Sequence, residues 1–524
     1  MRVKIDGELL GQFSVPFSWD KPDCYAFLDL SEHLGKTLRL ELDDSGRDLS
    51  AITLDDRIKG VEGFYRERYR PQFHFSSRRG WLNDSNGLIY YDGVYHLYYQ
   101  HNPFSVYWGN MSWGHATSTD LVHWEEQPAV LYPKPDSGAC FSGAAFIDQR
   151  NQLGRKTGDA DVIVAFYLRT KIGLSFAYSN DAGQTMTDYE GNPVLTHAGA
   201  RIDTPRPFWF GPTRRWIAPT YDFFTNDEGK RLRCVGIYSS ANLKDWTFES
   251  RVEQDKWGDE LCGCVDFFQL PVDGDRDNRP WVMIFIDGSY IVGTFDGHVF
   301  RTLAGKPAHT NDRIDSLVVD RNYYATMTWE NVPSDRRVQI TWMRGPHHPG
   351  MPYGQQMTLP SELTLHATQE RPRLRMNPVR ELETLRTRTH QFNDVVLSDD
   401  SNPLRDLEGE LFELEVEFTP AVDSVTVFSM RGIDVAYDAG TGVLTCGNEE
   451  PARTPLAPVN GRIRLQILQD RTSIEVYVND GRVYIPMIVR PEEGNLRLSA
   501  TCRKGKVKAS SLRVHALKSI WQGN

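Results

Sequence analysis

The stretch "GWLNDSNGLIYYDGVYHLYYQHNP", Gly80 to Pro103, sets one carboxylate, Asp84, between Trp81-Leu82-Asn83 and Ser85-Asn86-Gly87. Asn, Asp and Gly together are what a turn requires. A turn does not account for the residues downstream, where Gln100, Asn102, Trp108, Asn110, Trp113 and His115 crowd amides and large aromatic rings into a short span. That mixture suits a sugar, because hydroxyls need directional donors and acceptors while C–H faces stack on indoles. For any one tryptophan a place in the core is the simpler reading. The cluster beside a carboxylate points to a carbohydrate site, and leaves open whether Asp84 is a turn residue or a nucleophile at the mouth of a pocket.

The elements that must position these residues are strands. Leu38, Leu40 and Leu42 alternate with Arg39 and Glu41; Phe412, Leu414, Val416 and Phe418 alternate with glutamates; Ile474, Val476 and Val478 run into Asn479-Asp480-Gly481, a hairpin signal. Amphipathic helix patterns are scarce, and the chain reads as all-β. Its middle third carries an echo: "STDLVHW" from Ser118 matches "SANLKDW" from Ser240, and "SNDAGQTM" from Ser179 lies between. The three serines stand at equal intervals of 61 residues. A period of that size in a β-rich chain predicts one four-stranded sheet per repeat around an axis, a propeller. The span from Phe64 to Leu365 has room for about five such units, and Asp84 falls where the first inner strand should begin, facing the central funnel.

At 524 residues the chain is too long for a single core. Residues 1–62 read as a small N-terminal β-domain, 63–368 as a five-bladed propeller, 369–389 as a charged linker, and 390–524 as a C-terminal β-sandwich with frequent turn signals. The net charge of −11 argues against nucleic acid or an anionic membrane as partner. No run approaches the roughly 18 apolar residues of a membrane helix. The opening residues are charged and lack an apolar signal region, and the seven scattered cysteines suit reduced thiols, so a cytoplasmic location is expected. No cofactor and no metal are expected: Cys262 and Cys264 are too close for the usual zinc pair, and His96, His101, His115 and His123 lack ligand spacing.

The motifs then become recognisable. "RPQFHFSSRRGWLNDSNGLIYYDGVYHLYYQHNP" with "WGNMSWGHATSTDLVHW", "CFSGAAF", "QLPVDGD", "YIVGTFDG", "DRTSIEVYVNDG" and "LKSIW" closely resembles the β-fructofuranosidases, the invertase, levanase and inulinase group of glycoside hydrolase family 32. The resemblance runs from about residue 70 onward. It implies a five-bladed propeller followed by a β-sandwich, a β-fructoside substrate such as sucrose, fructo-oligosaccharide, inulin or levan, and a retaining mechanism. In that mechanism Asp84 attacks the anomeric carbon, a glutamate from the third blade protonates the leaving oxygen, and a second aspartate holds hydroxyls of the fructosyl ring. Retention of configuration needs two carboxyl groups about 5–5.5 Å apart. Contacts to substrate are expected from Leu82, Asn83, Gln100, Trp108, Phe141, Ser142, Arg201 and Thr204.

Three departures from the family pattern bear on this. Ser85 replaces a proline after Asp84, which leaves the nucleophile in place. In "RIDTPRPFW" Thr204 occupies the position of the second aspartate, and Asp203 lies one residue earlier. In "GCVD" Gly263 occupies the position of the acid glutamate, and Glu260 lies three residues earlier, beside Asp259. A one-residue step on a regular strand turns a side chain to the other face, so Asp203 and Glu260 serve only if local rearrangement brings them inward. An absent acid costs about 10²–10⁴ in rate. Two alternatives to hydrolysis remain: a fructosyltransferase making cyclic or elongated products, and a non-catalytic fructan-binding propeller.

Overall fold

A computed structural model describes residues 1–17, 25–43, 52–196, 204–253, 263–303, 315–316, 318–319 and 322–521. Strands form because β-branched and aromatic residues recur either in alternation or in unbroken runs. Ser361–His366 alternates buried and half-buried positions, while every residue of Val162–Arg169, "VIVAFYLR", is buried because the strand is covered on both faces.

Five antiparallel meanders succeed one another around the propeller axis. The first has Gly80–Tyr91 innermost, then Val94–Asn102, Ser112–Ser118 and Glu125–Leu131. Cys140–Asp148, Phe208–Phe210, Asp266–Gln269 and Tyr323–Thr328 begin the other four. The ring is closed by the last sheet pairing with the first: the Tyr90 N–H donates to the Glu330 carbonyl at 2.9 Å and the Glu330 N–H to that of Leu88 at 3.0 Å. Tyr353–Gly354 lies parallel to Gly80–Trp81 beyond the inner edge of the first sheet.

The 61-residue echo is one turn built three times. Ser118, Ser179 and Ser240 each end the third strand of a blade. Each serine hydroxyl bonds the side chain two residues on, Asp120, Asp181 or Asn242, and accepts the N–H of that residue. Leu121, Ala182 and Leu243 then all take positive φ, at 66°, 57° and 66°.

The stretch 369–389, expected as a linker, is instead ordered structure. Arg373–Pro378 is the outer strand of the fifth blade, Arg380–Leu385 a 3-10 turn, and Arg386–Leu397 an edge strand of the sandwich. The half-buried arginines hide a short alternation in which Leu374 and Met376 are buried. The C-terminal sandwich stacks a six-stranded sheet on a five-stranded one around Phe412, Leu414, Val435, Ile467, Val476 and Leu512. Asn479 and Asp480, both at positive φ, turn the hairpin between Ser473–Val478 and Val483–Ile488. His74, wholly buried, joins the two units: Nδ1 bonds Asp470 at 2.8 Å and Nε2 bonds Glu475 at 3.1 Å, both from the sandwich. Trp521 stacks on Tyr65 with ring centroids 3.8 Å apart. At the other end, Arg2–Ile5, Glu8–Gln12 and Leu38–Glu41 form a separate three-stranded sheet.

Candidate active site

Asp84 is the fifth residue of the innermost strand of the first blade. Leu82 pairs with His101 and Ser85 with Tyr99, three residues against two, so a β-bulge falls at Asn83 and Asp84. Ser142 stands on a matching irregularity in the second blade, where Cys140 pairs with Arg169 and Gly143 with Tyr167. Bulges re-aim side chains, and here they bring two neighbouring strands to one point. The Ser142 hydroxyl donates to Asp84 Oδ2 at 2.7 Å, and Asn83 Nδ2 donates to Oδ1 at 3.0 Å. Trp81 Nε1 in turn donates to Asn83 Oδ1 at 2.8 Å, which fixes the amide's orientation. Two residues past Ser85, Gly87 at φ +48° packs where a Cβ would lie 2.8 Å from the Tyr98 ring. Only glycine fits that approach.

Burial pushes the Asp84 carboxyl above the ordinary aspartate range, against the opposing pull of the Ser142 and Asn83 hydrogen bonds. The donors are neutral, so they lower the cost of the anion without cancelling its charge. Asp84 nonetheless keeps partial exposure to solvent. Beside it, Phe141 meets the exposed ring of Trp108 edge-on at 6.0 Å. A half-open carboxylate next to a strand that carries an aromatic pair is an arrangement that can receive a sugar ring and bond to it.

Of the other residues expected at the site, Thr204 is buried with φ +47°, and its hydroxyl accepts the Cys264 N–H at 3.1 Å. A β-branched residue in that region is an outlier. Cys264, itself at φ +45°, brings its sulfur to 3.9 Å from Asp84 Oδ2. Leu82 is wholly buried in the main core, so any contact it makes with substrate falls to its backbone. Gln100 is buried and donates to the Cys140 carbonyl at 3.0 Å, bracing the strand that carries Phe141 and Ser142. Gly263 borders the site without a side chain. Arg201, Asp203, Asp259 and Glu260 lie outside the described residues.

Two further groups lie in motifs that the sequence reading used only for Thr204 and Gly263. Cys264 is one; the other is the Asp266–Arg206 ion pair at 2.5 Å, both residues buried, in which Thr328 donates its N–H and hydroxyl to Asp266 Oδ2. Arg206 Nη2 continues to Glu330 Oε1 at 3.1 Å. Cys264 and Asp266 belong to "GCVD" and Arg206 to "RIDTPRPFW", and those motifs are the signal that could have found them.

Comparison with known proteins identifies the family. Residues 74–378 match the glycosyl hydrolases family 32 N-terminal domain, and residues 381–516 match the family's C-terminal domain. A levanase of Bacillus subtilis is 35% identical over 500 residues, covering 87% of this chain and 72% of the levanase. An extracellular exo-inulinase of Aspergillus ficuum is 27% identical over 523 residues, covering 87% of this chain and 96% of the inulinase. The fold is shared with the crystal structure of an exo-inulinase from Aspergillus awamori, with a TM-score of 0.75 at 24% identity over 87% of this chain and 100% of that one. The blades and the sandwich are thus those of a known group: the chain belongs to glycosyl hydrolase family 32, the glycosidase family of the β-fructofuranosidases.

Proposed function

We propose that the chain is a retaining glycosidase that acts on β-fructosides, from sucrose and fructo-oligosaccharides to inulin or levan, through a covalent fructosyl-enzyme on Asp84. The observation that carries the reading is the Asp84 carboxylate, set on a bulge and held by Ser142 and Asn83, with Phe141, the chain neighbour of Ser142, edge-on to the exposed indole of Trp108. One Asp84 oxygen bonds to the anomeric carbon as the glycosidic C–O bond breaks, and the leaving oxygen takes up a proton. Water then returns its oxygen to that carbon, loses a proton, and frees the carboxylate. Oxocarbenium charge develops beside an anion whose two oxygens are already fixed, so little reorganisation accompanies the step. Glu260 is the candidate for the proton donor and Asp203 for the ring hydroxyls.

Asp84→Asn tests the assignment. Release of fructose should fall on the order of 10⁴-fold or more, with the substitution leaving the thermal transition in place; an unchanged rate removes Asp84 from the role. Glu260→Gln should slow sucrose and fructan cleavage while sparing fructosides with strongly acidic leaving groups, which need no proton donor.

A second reading is favoured by Gly263, which has no side chain, and by Thr204, whose hydroxyl is engaged by the Cys264 backbone. It is a propeller that binds fructans without turning them over. Saturable binding by calorimetry with no product over hours at high enzyme concentration supports it, and free fructose in the same mixture rejects it. Cyclic or elongated products with little free fructose point instead to a fructosyl transfer enzyme.

A further inference from the structure

A bulge disrupts the ladder locally, and around Ser142 side chains hold the backbone in its place. Gln100 Nε2 donates to the Cys140 carbonyl at 3.0 Å, and Trp113 Nε1 donates to the Phe141 carbonyl at 3.1 Å. Immediately after Ser142, a Cβ on Gly143 would collide with the Phe166 carbonyl, so the strand lies against its neighbour with no slack. Opposite the bulge stand Arg169 and Tyr167, the partners of Cys140 and Gly143.

Arg169 is 2% exposed, and a guanidinium that far from water must direct its donors to protein groups. Nη1 donates to the Tyr132 carbonyl at 2.7 Å and lies 3.0 Å from Cys140 Sγ. Nη2 spans both oxygens of Asp188, at 3.0 and 2.9 Å, and Nε donates to the Tyr167 hydroxyl at 3.1 Å. That hydroxyl donates to Asp188 Oδ1 at 2.6 Å, while Lys134 holds Oδ2 at 2.7 Å. One side chain thus ties together the strap that leads into the second blade, the first residue of its inner strand and its outermost strand, Thr187–Asp188. The Tyr167 ring also packs on Trp113 with centroids 5.6 Å apart, so the indole that holds Phe141 rests on the same cluster.

We propose that Arg169 is a positioning residue for the nucleophile: braced by Asp188 and Tyr167, it locks the Cys140–Gly143 bulge from behind and so keeps the Ser142 hydroxyl on Asp84. Asp84 itself is reached by Asn83, Ser142 and Cys264, so Arg169 acts on it through the strand that carries Ser142. A buried ion pair is a weak source of stability. What a guanidinium adds is direction, since its planar fork meets several partners at fixed angles and an ammonium does not. The role of nucleophile rests on the fructoside reading given above; the lock, which sets the proton affinity of the carboxyl, does not.

The test reads the pH midpoint at which a water-soluble carbodiimide with a glycine ester modifies Asp84 in the full-length chain, followed by peptide mass spectrometry. The reagent takes the protonated carboxyl and needs no sugar. Ser142→Ala should raise the midpoint by about one pH unit. Arg169→Lys keeps the charge, loses the fork and should raise it by about half a unit; Arg169→Gln should raise it at least as far. In the Ser142→Ala background neither change should move it further, because the hydroxyl they position is gone. A midpoint unmoved by Arg169→Lys overturns the proposal, whatever Arg169→Gln does, because charge alone then accounts for the effect. A shift of full size in the Ser142→Ala background also overturns it, since an effect that bypasses the hydroxyl is no lock. Should Arg169→Gln fail to fold, Arg169→Lys carries the test alone. Fructose release from sucrose and from inulin is measured alongside: a parent chain that releases none while the midpoints move as expected overturns the fructoside reading and leaves the lock standing.

Discussion

Ser142 and Asn83 occupy one oxygen each of Asp84, and both are neutral donors. The carboxyl, already raised by burial, therefore depends on them for its ionised form. Ser142→Ala removes the shorter bond, so the carboxyl rises further and a smaller fraction is ionised at any acidic pH. The acidic limb of the pH–rate profile should move to higher pH, while the rate on the plateau falls much less; a limb that stays in place detaches Ser142 from the nucleophile. Asp84, Gln100 and Trp108 were legible in the sequence because they lie in order along two successive strands and the loop after them. Cys264, Asp266 and Arg206 stand in the quoted motifs, but their contacts were not legible, because the partners stand 180 and about 60 positions away and no local pattern encodes that meeting. Thr204 was read by its place in a motif, and its left-handed backbone is visible only in the structure.

Among the elements, the turn repeated after Ser118, Ser179 and Ser240 is the clearest case of sequence spacing becoming structure. Its acidic residue replaces backbone partners that the chain cannot supply while reversing. In the first blade Asp120 Oδ1 accepts the N–H groups of Val122 at 3.0 Å and His123 at 2.8 Å, together with the Ser118 hydroxyl. Asp120→Ala should destabilise the chain by about 1–2 kcal/mol, and Asp120→Asn by less, read from denaturant midpoints. Equal midpoints for all three would reduce the repeat to a coincidence of spacing. The segment 369–389 shows the limit of period-two reading. Arg373, Arg375 and Arg380 dominate its composition, yet two buried side chains, Leu374 and Met376, suffice to seat a strand against Ser361–His366.

Across the whole molecule, propeller and sandwich are joined by His74 between Asp470 and Glu475. Burial alone would lower the imidazole, but its hydrogen bonds and charge attraction to the two carboxylates outweigh that and hold it at about 9, against an ordinary 6.5. A group raised on folding contributes fully below its unfolded pKa and loses that contribution as pH climbs through the folded one. Stability should therefore decline between pH 6.5 and 9. His74→Gln should flatten this slope and cost about 3–5 kcal/mol at the acidic end, as expected when one member of a buried ion cluster is removed. Melting temperatures across that range read both effects, and an unaltered slope in the variant shows that another group carries it. The fold class was evident from alternation and spacing, whereas this junction draws on residues about 400 positions apart.

Closure of the ring has a consequence for how the protein is made. The strand bearing Asp84 is bonded along its length by Glu330 and Tyr353–Gly354, and Ser85 donates to the Ala325 and Ile340 carbonyls. All of these leave the ribosome more than two hundred residues after Asp84 itself. A nascent chain of four blades thus carries Asp84 on an inner edge that its later partners have not yet joined, and the site is complete only when synthesis has passed the fifth.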